Sequence, residues 1–332
     1  MNKTTLAIVG SWLSLLFFSC QDTQDQKILR LAHGLSVDHS VHKAMVYMAD
    51  RLAEKSDGSL IIKIYPSGQL GDERETVELL QLGSLAITKV SAAVMESFSE
   101  EYRVLGLPYI FRNKAHAFAA FDGEVGRDIL LSSEDVWLRG LGFYDAGSRS
   151  FYTKDRPITT PNDLAGMKVR VMNSNTAINM IQSMGGSPTP IPFGELYTAL
   201  QSGVVDAAEN NPPSLYLSRH YEVCKYYSID EHTQIPDVLL IGKRAWDGLT
   251  EHEQAWVQEA ADESVVRQHQ LWKESEEEAM NALRAAGVEI NYPEKDPFAQ
   301  DVQNLYQAYK AEPVLNDLIE RIQALQEVPQ IK

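Results

Sequence analysis

SLIIKIYPSGQLGDERETVELLQLGSLAITKVSAA (59–93) is the stretch on which the fold turns. Residues 59–66 are rich in β-branched side chains and stop at Pro66, so they predict a strand. After the loop SGQLGD, Glu73–Leu82 has helical spacing and Gly83 ends it. LAITKVSAA (85–93) predicts a further strand. Upstream, KILRLAHG (27–34) predicts a strand that reaches a loop at His33-Gly34. From His39 to Lys55, Val41, Ala44, Met45, Met48, Ala49 and Leu52 recur at helical spacing until Ser56-Asp57-Gly58. Strands alternating with helices argue for an α/β lobe around a largely parallel sheet.

The centre of the chain repeats the theme. Leu141–Tyr144 and Ser150–Thr153 predict short strands around a turn at Asp145–Gly147, and GMKVRVMN (166–173) another after the Pro157–Leu164 loop. Asn175–Met184 is helical up to Gly185-Gly186, Gly194–Gln201 is a short helix, and VVDAAENN (204–211) is a strand followed by a turn at Pro212-Pro213. VLLIGKRAW (238–246) predicts an apolar strand crossing back. Residues 250–286 contain no Gly or Pro, start with a Thr250/Glu253 capping box and stop before Gly287. At 1.5 Å per residue that helix is ~55 Å long, enough to brace two lobes. Residues 298–326 add amphipathic helix interrupted near Pro313.

Length and charge narrow the function. A chain of 332 residues usually divides into two lobes. Asp and Glu total 46 against 30 Lys and Arg, so the basic footprint of a nucleic-acid binder is missing. Residues 1–19, MNKTTLAIVGSWLSLLFFS, place Lys3 before an apolar run from Leu6 to Phe18, the pattern of a secretory signal. The run is shorter than the ~20 residues that span a bilayer. Cys20 behind Ser19 resembles a bacterial lipoprotein cleavage site, which implies a periplasmic protein anchored to membrane lipid through an acylated Cys20. A plain signal peptide cut near Ser19 is the alternative. Residues 20–27 then form a polar tether, and Cys224 in EVCKYY is expected to be a buried filler.

No GxSxG, HExxH, GxxxxGK[ST] or strand-linked GxGxxG is present, so neither enzyme activity nor a cofactor is expected. His39 and His42 could share a helix face but lack a third ligand, so no metal site is expected. Charge inside strands is the informative signal. Arg149 lies in DAGSRSFY, Arg170 in GMKVRVMN, and Lys89 interrupts LAITKVSAA. A cation in a core strand is costly unless a counter-charge meets it. A paired structural cation explains any one of them, but three in strands that could share a cleft suggest a small organic acid as guest. Arginine's parallel donors match a carboxylate's two oxygens. Glu73, and Asn210 or Asn211, would then bond hydroxyls. Glu73 alone is equally explained as a helix N-terminal acid.

The chain resembles the solute-binding proteins of TRAP (tripartite ATP-independent periplasmic) transporters over about residues 28–325. The motifs that carry the likeness are IYPSGQLGDERETVELLQLGSL (64–85), LPYIF (107–111), NDLAGMKVRV (162–171) and GGSPTPIPFGELYTALQSGVVDAAENNP (185–212), with the long helix. The resemblance implies a two-lobed periplasmic-binding-protein (Venus-flytrap) α/β fold, its long helix packed along both lobes. It divides the chain into a leader (1–19), a tether (20–27), a first lobe (28–150 plus about 240–285) and a second (151–239 plus about 286–326). It also implies permease subunits as partners. By the same resemblance Arg170 is the carboxylate clamp, Arg149 a second cation, Asn210 a polar contact and Phe193 a packing face. His33, Glu73, Lys89 and Ser91 set specificity. The His33–Glu73–Lys89 set suits a hexuronate such as D-glucuronate or D-galacturonate, with sialic acid, sugar diacids and C4-dicarboxylates as alternatives. Lys89 could equally meet a second carboxylate. The same cleft would also serve a ligand sensor for a signalling receptor.

Overall fold

The computed structural model describes residues 26–326, so the expected signal sequence, Cys20 and the expected tether up to residue 25 lie outside the described residues. Within them the strands are β1 (Lys27–Ala32), β2 (Leu60–Tyr65), β3 (Ile87–Ser91), β4 (Leu138–Tyr144), β5 (Arg149–Thr153), β6 (Lys168–Val171), β7 (Ser187–Pro190), β8 (Ala207–Asn210), β9 (Tyr226–Thr233), β10 (Asp237–Gly242) and β11 (Glu289–Asn291). The α-helices are α1 (Ser40–Lys55), α2 (Glu73–Leu82), α3 (Ala92–Met95), α4 (Lys114–Phe121), α5 (Glu124–Ser132), α6 (Asn175–Ser183) and α7 (Leu196–Ser202). They continue with α8 (Pro212–Leu217), α9 (Lys243–Asp247), α10 (Glu251–Ala285), α11 (Asp296–Asp301), α12 (Gln303–Lys310) and α13 (Pro313–Ala324).

Among the described residues these strands build two sheets, ordered β2-β1-β3-β10-β4 and β11-β9-β5-β8-β6-β7. β1 pairs parallel with β2 and β3, but β10 runs antiparallel to β3 and β4. The first sheet is therefore mixed rather than largely parallel. The cause is topological: β10 returns from β9 of the other sheet across a three-residue link, with no helix to reverse its direction. The turn at Asp145–Gly147 is the other crossing, since β4 belongs to the first sheet and β5 to the second.

Two local expectations are corrected. Pro212-Pro213 opens α8 instead of forming a turn, because Asn211 caps the helix and the missing proline N–H groups are unbonded in a first turn anyway. The strand expected over 238–246 ends at Gly242 and continues as α9. β9, with its buried Asp230 and His232, escaped the hydropathy pattern because its core residues are polar.

The long helix keeps its expected ends, with a reciprocal Thr250/Glu253 capping box and Gly287 at φ +78° just beyond. It lies against α1 and β4 of the first half and α8 of the second. Gln268, fully buried, donates to Asp145 O (2.7 Å) and accepts from Asp145 N (2.8 Å), tying the helix to a crossing. One apolar cluster continues from Val77, Val90 and Phe143 through Phe151, Val169 and Ile181 to Leu315 and Ile322. At ~1.5–3 kcal/mol per fully buried aliphatic or aromatic side chain, this shared core holds the two halves side by side. Cys224 is buried as expected.

Candidate functional site

The three strand cations lie in β3 of the first sheet and in β5 and β6 of the second. Their electrostatic situations differ. Lys89 sits in β3, whose five residues are all buried. Its Nζ lies 3.1 Å from Asp237 Oδ2 and 3.3 Å from Glu73 Oε1. Burial opposes its charge, yet the two carboxylates outweigh burial and raise its pKa. Antiparallel pairing of β10 with β3 places Asp237 opposite Ser91. Glu73 arrives from the first turn of α2, where Asp72 and Glu75 form the capping box. It is thus released from capping and accepts instead from Ser91 N (3.2 Å). The Ser91 hydroxyl caps α3 at Ala93 N.

Arg149 opens β5 beside β8. Its Nε and Nη2 reach Glu209 Oε2 (2.5 Å) and Oε1 (2.9 Å), and Nη1 donates to Asn210 Oδ1 (3.0 Å). Glu209 is buried and held down at about 2: burial pushes it up, but Arg149 and His232 win. The expectation that Arg149 and Lys89 await an outside anion is corrected. Both meet carboxylates that the fold brings from elsewhere in the chain, Glu209 and Asp237 from neighbouring strands and Glu73 from α2. Asn211 is likewise structural, accepting from Ser214 N and donating to Ala146 O.

Arg170 is different. It lies in β6, on the other side of β8 from Arg149, and is 2% exposed. Its Nε donates to Ile191 O (2.9 Å), while the buried Nη1 has no hydrogen-bond partner. Among the described residues no carboxylate pairs with it. Burial pulls its pKa below the usual guanidinium value, with Tyr152, Glu209 and, from the other half, Glu73 pulling back. The guanidinium lies 5.9 Å from the Phe193 ring centroid, and Phe193 in turn meets His220 edge-on. His220 shares a 3.0 Å hydrogen bond with the Tyr152 hydroxyl.

His33, at the end of β1, is 1% exposed and bonds His42 (3.0 Å). Burial, and then Lys89, lowers its pKa to about 3, so it stays neutral. His39 caps α1 rather than sharing its face with His42, and its buried Nε2 is unpartnered. Behind Arg149 runs a polar chain that sequence reasoning missed. His232 Nδ1 is 2.9 Å from Asp230 Oδ2, and its Nε2 lies 3.5 Å from Glu209 Oε2, ion-pair range without a hydrogen bond. Tyr109, from LPYIF, adopts a left-handed backbone (φ +60°) and places its hydroxyl 3.3 Å from Asp230. That conformation is strained for a bulky residue. The signal that could have found Glu209 and Asp230 is the one that found the arginines: charge inside a buried strand. No group of three or more His, Cys, Asp or Glu among the described residues is placed to hold a metal ion, and no described helix is long and apolar enough to cross a membrane.

The sequence matches the family described as bacterial extracellular solute-binding protein, family 7, over residues 31–312. An uncharacterized protein of Salmonella typhimurium, YiiZ, is 40% identical over 325 residues, 97% of either chain. A TRAP periplasmic solute binding protein from Bradyrhizobium, solved in complex with α/β-D-galacturonate, is 40% identical with a TM-score of 0.88, over 90% of this chain and 100% of that one. Its counterpart from Roseobacter denitrificans, solved with bound β-D-glucuronate, is 36% identical with the same TM-score and coverage.

Proposed function

Because the chain belongs to the bacterial extracellular solute-binding protein family 7, we propose that it captures a hexuronate outside the cytoplasm and delivers it to the membrane permease of a TRAP transporter. D-galacturonate and D-glucuronate are the candidates, being the ligands held by the two solved relatives. The observation that carries the proposal is Arg170, a buried guanidinium with an unpartnered Nη1 and, among the described residues, no carboxylate in ion-pair contact. A ligand carboxylate supplies both the missing charge and the missing acceptor. Phe193 lies beside the guanidinium and Asn210 ends the neighbouring strand β8, while Glu73 and Lys89 of the other half present an acceptor and a donor for hydroxyls; His33 stands behind them with both ring nitrogens engaged, by His42 and by Leu35 N.

The work done is binding and closure rather than chemistry. Residues 28–150 with about 240–285 form one lobe, and 151–239 with about 286–326 the other, except that β5 joins the second sheet from Arg149 and β10 the first from Asp237. Arg170 seizes the carboxylate first, and the opposite lobe then closes on the hydroxyls. A ligand shifts such an equilibrium only by its differential affinity for the closed form. Moving from 1:99 to 99:1 takes ~5.5 kcal/mol, within reach of a desolvated ion pair plus several hydrogen bonds. The anchor at Cys20 belongs to the same proposal and is checked by the mass of the mature N-terminal peptide, expected to carry acyl chains.

Calorimetric titration with D-galacturonate, D-glucuronate, sialic acid and succinate tests the function. Tight binding of a hexuronate and weak or no binding of succinate is expected. Absence of heat and of thermal shift with every acid would contradict it.

A further inference from the structure

Lys89 taken alone is compatible with either a hydroxyl or a second ligand carboxylate. Its surroundings distinguish the two. The ammonium already touches two carboxylates, Asp237 at 3.1 Å and Glu73 at 3.3 Å, so this corner of the site carries one more negative than positive charge. The histidines beside it do not restore the balance. His33 and His39 are each lowered to about 3, by burial first and by Lys89 second, and so remain neutral. Arg149, the next cation, is saturated by Glu209 and Asn210. Burial raises the Asp237 carboxyl above its ordinary range against the pull of Lys89, and Glu73 raises it further. The two acids already repel one another without a third.

Resting on the proposed capture of a hexuronate, we infer that Glu73 and Asp237 make the site selective for sugar mono-acids and exclude the diacids formed by oxidising the far end of the same sugar. A cyclic hexuronate and its open-chain aldarate share the C2, C3 and C4 hydroxyls, and opening the ring frees a C5 hydroxyl in the aldarate. Their charge differs at C1, a neutral hemiacetal hydroxyl in the first and a carboxylate in the second, and it is this charge that the Glu73→Gln ratio reads. With one carboxylate on Arg170, the distal end of the ligand reaches the first half. There a hydroxyl donates to Glu73 or Asp237 and accepts from Lys89. A carboxylate in that position has no proton to donate and meets two like charges around a single occupied ammonium, an arrangement that specificity built on repulsion exploits. Glu73 is the better placed of the two to act, since a quarter of its side chain is open while Asp237 is more enclosed.

The test is calorimetric titration of wild type, Glu73→Gln and Asp237→Asn with D-galacturonate and galactarate, and with D-glucuronate and glucarate. Wild type should prefer the hexuronate over its aldarate by about 100-fold or more, the scale of one like-charge contact in a desolvated site. Glu73→Gln should narrow that ratio at least ~10-fold by strengthening aldarate binding, because the amide keeps the size and removes the charge. Asp237→Asn should move the ratio the same way if Glu73→Gln fails to fold. Wild type that binds aldarate as tightly as hexuronate overturns this inference and leaves hexuronate capture standing. So does a neutralised variant whose ratio stays fixed. Wild type that binds neither kind of sugar acid overturns the functional proposal itself.

Discussion

Arg149 and Arg170 flank the same strand, β8, yet the surrounding protein treats them oppositely. Glu209 meets Arg149 on two nitrogens, while Arg170 Nη1 is left bare. Removing one partner of a buried ion pair leaves an uncompensated charge and costs about 3–5 kcal/mol. Removing a buried charge that has no counter-charge relieves a desolvation penalty instead. Arg149→Met is therefore expected to lower the melting temperature by many degrees. Arg170→Met should keep it or raise it, while abolishing hexuronate binding. Thermal melts with and without ligand check both. Equal destabilisation by the two substitutions would mean that Arg170 is a structural cation. The sequence alone marks both arginines as anomalous, since a long cation between Val169 and Val171 is visible without coordinates. It cannot tell which one is satisfied. Glu209 and Asp237 are 60 and 148 residues away from the cations they neutralise, and only strand register joins them.

At the scale of elements, the readable parts are those with local causes. α2 runs from Glu73 to Leu82 because of its spacing and the left-handed Gly83, and α10 is bounded by its capping box and Gly287. The hidden parts are contacts between elements. Glu96, at the end of α3, accepts from Ser174 Oγ (2.9 Å) and Thr176 N (3.2 Å) at the start of α6, so one carboxyl joins the first half to the second. Burial raises its pKa from 4.5 to about 7, against these hydrogen bonds and the charge of Arg103. Since the folded protein holds this proton more tightly than the unfolded chain, its contribution to stability is complete below pH ~4.5 and fades as pH rises through ~7. Glu96→Gln should abolish that decline, leaving a variant more stable than wild type at pH 8 and no more stable at pH 5. Urea midpoints across this range provide the check. Parallel slopes for the two proteins would show that Glu96 titrates normally.

For the whole molecule, two crossings and one long helix join halves that also share an apolar core. Such a frame transmits closure to a membrane partner only if the ligand touches both halves, because contacts confined to one half favour the open and closed forms equally. The Glu96 hydrogen bonds to Ser174 and Thr176 show the halves already in contact. Everything functional then depends on where the ligand's acid group goes. A crystal structure of the complex with D-galacturonate or D-glucuronate decides this. The carboxylate should lie in bidentate contact with the Arg170 guanidinium, with Nη1 among the donors and sugar hydroxyls on Glu73 and Lys89. A ligand whose carboxylate sits elsewhere, with Arg170 Nη1 still unbonded, would contradict the account.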